Sequence, residues 1–132
     1  MKKLILLLAG LLSGCTLLDA YLMKYDSNEY FLVEEIRTAA QLAKDKCNTP
    51  EDASKSSLEV YKLTTEFSNY AQFLPHNDRV KNAAEQLNKM SQGLKDQYQN
   101  NPKVSAAFCK IKFENIEISA KTIQQTVGAK PR

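Results

Sequence analysis

The sequence predicts an all-α fold, an up-down-up-down four-helix bundle. Three observations carry that expectation. Between residues 26 and 128 apolar side chains recur at the 3-4 spacing of a bundle seam in four separate segments. Each segment opens or closes on residues that satisfy helix ends. Cys47 and Cys109 fall on seam positions of the first and fourth segments, which are neighbours in such a bundle. No period-2 alternation competes as a strand pattern, and no internal repeat or low-complexity stretch is visible.

The first helix is expected to start at Asp26, with Glu29 three residues on in a capping-box arrangement, and its seam runs Val33, Ile36, Ala40, Ala43 and Cys47. The second starts at Thr49-Pro50-Glu51-Asp52. There Thr49 is a cap, Pro50 suits the first turn and two acids favour the positive end of the dipole. Its weaker seam runs Ala53, Ser57, Val60, Thr64, Phe67, Ala71 and Leu74. Pro75-His76-Asn77-Asp78 forms a turn and a new cap, followed by a third seam of Val80, Ala83, Leu87, Met90 and Leu94. Asn101-Pro102 ends that helix and starts the fourth, with Asn101 as cap and a seam of Ala106, Cys109, Phe113, Ile116, Ala120, Ile123 and Val127. Gly128 and Pro131 stop it.

The first residues have a different organisation. Met1-Lys2-Lys3 is basic, and Leu4 to Leu12 is an apolar run broken only by Ala9-Gly10, far shorter than the roughly 20 residues a membrane span requires. It reads as the core of a signal peptide, without an Ala-x-Ala-like site. Leu12-Ser13-Gly14-Cys15 follows and resembles the lipobox of bacterial lipoproteins, a Leu and two small residues before the cysteine that takes the lipid. The resemblance covers the first fifteen residues. It implies recognition of Leu12, Ser13 and Gly14 by the lipoprotein signal peptidase, cleavage before Cys15 and acylation, palmitate included, on that thiol. It also implies that Thr16, which is not the Asp associated with inner-membrane retention, directs the protein to the periplasmic face of a Gram-negative outer membrane. Several acyl chains make such an anchor stable.

Cleavage would remove 14 of 132 residues, with two of the 18 basic ones, leaving 16 against 15 acidic residues. The mature chain is long enough for one domain and nearly neutral, without the basic footprint of a nucleic-acid binder. The expected organisation is a signal peptide over 1–14, a lipidated tether over 15–25, a bundle over 26–128 and a tail over 129–132. With Cys15 assigned to lipid in an oxidising compartment, Cys47 and Cys109 read first as a disulfide. Two free buried thiols, or a redox or metal site, are the alternatives. The tether residues Leu17, Leu18, Tyr21, Leu22 and Tyr25 would share one face if helical. They either rest at the lipid interface or extend the first helix and pack on the bundle.

Chemistry-bearing motifs are missing from the sequence. It has no Cys-x-x-Cys-His, no Glu-x-x-His pair, no Gly-rich phosphate loop and no Gly-x-Ser-x-Gly elbow. His76 is the lone histidine and stands in a turn. Glu114 and Glu117 have Lys110 and Lys121 within helical pairing distance. No enzyme, metal or cofactor beyond the lipid on Cys15 is expected. Phe31, Tyr61, Tyr70 and Phe73 are candidates for a groove that accepts a partner's amphipathic helix, although the plainer reading is that they complete a wide apolar stripe.

The expected role is a membrane-anchored accessory module that binds another envelope protein. Small helical outer-membrane lipoproteins that pilot secretion-channel subunits are similar in size, anchor and placement of a first-to-fourth helix disulfide, a likeness of architecture alone. A phage- or plasmid-encoded exclusion or envelope-protection lipoprotein is the rival reading, and a ligand-binding or enzymatic bundle the third.

Overall fold

A computed structural model describes residues 23–101 and 103–132. The lipobox Leu12-Ser13-Gly14-Cys15 and the tether residues up to Leu22 lie outside them. The described chain forms four α-helices: α1 Ser27–Ala43, α2 Pro50–Phe73, α3 Asp78–Asn100 and α4 Ala106–Gly128, with a 3₁₀ turn over Lys44–Lys46 after α1. Successive helices pack on one another, and α1 closes the ring against α4, with which it makes its most extensive contact. The α2–α3 pair is comparably extensive, whereas α3 and α4 meet over less of their length.

The seams of α1 and α4 are those the spacing predicts, except that Ala106 at the start of α4 is only half-buried. Val33, Ile36, Ala40, Ala43 and Cys47 are buried, as are Cys109, Phe113, Ile116, Ala120, Ile123 and Val127. With Val60, Phe67, Leu87 and Leu94 they form one continuous core. Cys47 and Cys109 are joined in a disulfide with their Cα atoms 5.7 Å apart, so the bland pairing of the two thiols holds.

Four local expectations are corrected. Asp26 does cap α1, accepting the Glu29 N–H at 2.8 Å, but Glu29 does not complete a capping box, because its carboxylate turns into the protein and pairs elsewhere. Thr49 makes no side-chain cap, although Pro50 opens α2 and the Thr49 carbonyl accepts the Ala53 N–H at 2.9 Å. On α3 the buried residues are Val80, Ala84, Leu87, Ser91, Leu94 and Tyr98, while Met90 is 37% exposed and Ala83 half-buried. An apolar rule passes over Ser91, yet its hydroxyl bonds the Leu87 carbonyl at 2.8 Å and lies 2.7 Å from Thr64 Oγ1, so it is fully satisfied inside. Finally α4 starts later than expected. Asn101 uses its Oδ1 to accept the Lys103 N–H, and Ser105 is the cap, accepting the Phe108 N–H at 3.1 Å. Cys109 therefore lies one turn into α4, not two.

The weak α2 seam has a physical account. Its buried Ser57, Thr64 and Ser68 face a seam that is partly polar, where Thr64 Oγ1 and Thr65 Oγ1 both donate to Asn88 Oδ1 at 3.0 Å. These bonds set the register of α2 against α3, where few large apolar side chains do so.

Candidate functional site

Residues 23–26 are not helical, and Asp26 is extended (φ −120°, ψ 117°). The chain therefore enters α1 through a cap and does not continue α1 backwards over these residues. It enters at the end of the bundle shared by the α1 N-terminus, the α2–α3 turn and the α4 C-terminus. The opposite end holds the disulfide.

At the entry end a buried polar cluster ties α1, the α2–α3 turn and the C-terminal tail together. Glu29 is fully buried, and its Oε1 accepts from Asn77 Nδ2 at 2.5 Å, while Lys130 from the tail donates to its Oε2. Lys130 also donates to Asn77 Oδ1 at 2.8 Å. A carboxylate taken out of water at this cost persists because one cation and one amide meet both its oxygens. The tether is held by the same tail, since the Tyr25 N–H donates to the Pro131 carbonyl at 2.8 Å. Arg132 stands 5.1 Å over the Tyr25 ring. Gly128 lets the Tyr30 ring approach, as a Cβ there would lie 3.2 Å from the ring edge.

Tyr70 belongs to this end rather than to a groove. Its hydroxyl donates to Asp26 at 3.1 Å. A hydrogen bond to Asn28 favours its ionisation, but burial and the neighbouring Asp26 carboxylate outweigh it and hold the phenol above its ordinary range. The α2–α3 turn passes through His76 at φ 55°, the left-handed region that a side chain adopts only under constraint. Just before it Phe73 is 89% exposed.

The four groove candidates do not line one groove. Phe31, 55% exposed, borders a crevice of about 470 Å³ between α1 and α2 with Leu42 and Leu63, rimmed by Glu34, Glu35 and Glu59. Tyr61 lies on the other side of α2, with Lys95 of α3 4.9 Å from its ring centre. Phe73 stands at the tip of α2. Leu42, 59% exposed, is the crevice residue that the seam spacing passed over, because it faces away from the core.

A second cavity, of about 670 Å³, opens at the entry end between α3 and α4, with Met23, Arg79, Gln125 and Lys130 in its wall. At the disulfide end the buried Tyr98 hydroxyl has no hydrogen-bond partner among the described residues, and burial pushes its pKa above the ordinary 10.0, so the phenol ionises less readily. Glu117 pairs neither with Lys110 nor with Lys121. Instead its Oε2 lies 2.5 Å from Lys44 Nζ, joining α4 to the end of α1. No helix among the described residues is long and apolar enough to cross a membrane. No protein-family model matches the chain, and neither the curated proteins nor the solved structures give a significant match.

Proposed function

We propose that this protein is a lipid-anchored module of the bacterial envelope that binds another envelope protein without catalysing a reaction. The lipobox Leu12-Ser13-Gly14-Cys15 carries the reading. The pairing of Cys47 with Cys109 supports it twice over: it is bonding that persists in an oxidising compartment, and it leaves Cys15 as the thiol available for lipid. The proposed place is the periplasmic face of the outer membrane. The proposed binding surface is the α1–α2 crevice, whose apolar floor of Phe31, Leu42 and Leu63 suits a partner's amphipathic helix.

Labelling cells with a palmitate analogue tests the anchor. Label is expected on the wild-type chain in the membrane fraction and absent from Cys15→Ser; label that survives the substitution overturns it. A photo-crosslinking residue at Leu42 in intact cells tests the binding role. A discrete protein adduct is expected there and not from the exposed Gln92 on α3. Equal, diffuse adducts from both positions would refute a dedicated partner surface.

A further inference from the structure

We propose that the entry end of the bundle is a second membrane contact: Phe73 at the tip of α2 enters the interface of an anionic phospholipid bilayer, with Lys24, Arg79 and Arg132 meeting its phosphates. This inference rests on the lipid-anchor reading.

The length of the tether chooses the end. Tyr25, which the Pro131 carbonyl holds at the entry end, stands ten positions after Cys15. Ten residues reach at most about 35 Å when fully extended. Helices of 23 residues such as α3 and α4 are themselves about 35 Å long. The tether would have to be drawn out along the whole bundle to bring the disulfide end to the bilayer. The entry end needs no such extension.

What stands at that end matches a bilayer surface. Phe73 is 89% exposed on a tip rather than on a flank, and Pro75 beside it is exposed too. An aromatic side chain is poorly placed in water and well placed at the boundary of headgroups and acyl chains. Charge is distributed in the same sense. Exposed Lys24, Arg79 and Arg132 outnumber the exposed Asp78, which also has Lys81 at 3.9 Å; Asp26 is occupied by Tyr70 and the Glu29 N–H. The far end carries Asp45, Glu51 and Asp52 against Lys46, Lys55 and Lys103, with no excess of either sign. An anionic surface therefore attracts the basic entry end more strongly than the balanced far end. Because Lys130 and Pro131 lock the tether to the bundle, contact by Phe73 would orient the whole domain, raising the α1–α2 crevice on an upright bundle.

The chain contains no tryptophan, so single substitutions report on each end. The acylated full-length protein, purified from cell membranes as Phe73→Trp or as Phe108→Trp near the start of α4, is reconstituted into vesicles of phosphatidylethanolamine and phosphatidylglycerol. Both positions are partly exposed, so neither change disturbs the core. The expected result is blue-shifted emission from position 73, quenched by lipids brominated near the interface, and water-like emission from position 108. Arg79→Ala in unacylated Cys15→Ser protein is expected to weaken vesicle partitioning about fivefold, as one basic residue at the surface does. Water-like emission from both positions, or equal quenching of both, overturns the proposal. Mass analysis of Cys15 separates the two readings. A lipidated Cys15 with a water-like position 73 refutes this contact alone, and an unlipidated Cys15 refutes the anchor and the contact with it.

Discussion

The two ends of the α1–α4 pair are fastened by opposite means. At one end Cys47 and Cys109 are joined covalently, and that bond needs no environment beyond correct placement of two seam positions. At the other end Glu29, Asn77 and Lys130 hold the same two helices through an ion pair and hydrogen bonds that exist only when residues 48 and 101 positions apart in sequence meet out of water. The covalent end acts chiefly on the unfolded chain, which it shortens; the polar end acts on the folded state, where each partner is costly without the others. The first is robust to its surroundings. The second makes the tail and the tether part of the fold.

Breaking the covalent end gives the largest expected effect. Cys47→Ala with Cys109→Ala reopens a loop with a sequence separation of 62 and is expected to cost about 4 kcal/mol, read from denaturant unfolding beside the oxidised wild type. Hydrogen exchange sharpens the contrast, because amides at the start of α4 should lose more protection than those near Val127. Equal loss at both ends would show that the two fastenings are one cooperative unit. Glu29→Ala should cost about 3 kcal/mol, since it leaves the Lys130 charge uncompensated and Asn77 Nδ2 without its acceptor in a buried site. It should also release the tail, seen as faster proteolysis after Lys130. A loss under 1 kcal/mol would mean that the entry end contributes little.

Two smaller changes probe the disulfide end. Tyr98→Phe removes a buried hydroxyl without a partner and should stabilise by about 1 kcal/mol, read as a raised midpoint at unchanged denaturant slope. The smallest effect is a pH dependence. The hydrogen bond to Glu117, and against the opposing effect of burial the charges of Glu117, Glu114 and Asp45, hold Lys44 ionised above its ordinary value of 10.5. Because the folded value is the raised one, the stabilisation is complete below 10.5 and fades as pH rises through the folded value. For a pair this open to water it amounts to about 0.5 kcal/mol. The difference between wild type and Glu117→Gln should therefore persist at pH 8 and shrink as pH rises beyond 10.5.

The candidate surface was less legible than the fold. Phe31 and Phe73 stand out in sequence as aromatics off the seam, and both are exposed. Tyr61 and Tyr70 have the same appearance there but are committed within the protein, to Lys95 and to Asp26. An aromatic on a helix flank is written alike whether it meets solvent or a polar neighbour, and only the positions of the neighbouring helices distinguish the cases. Leu42 lies off the seam in sequence like any flank residue, and the position of α2 beside it makes it part of the crevice.

The sequence by itself determined four helices, the buried stripes of α1 and α4, the Asp26 cap and the pairing of the cysteines. The helices, stripes and cap depend on the 3.6-residue period or on chemistry within one turn, which a chain carries wherever it folds, and the pairing follows from the number of thiols left once Cys15 is assigned to lipid. The tertiary structure decided the inward turn of Glu29, the place of Ser91 in the α3 seam and the lock between tail and tether. In each of these a polar group chose a distant partner over a local one. The free energy of that choice resides in desolvation and in partners from other helices, and neither is encoded within one turn.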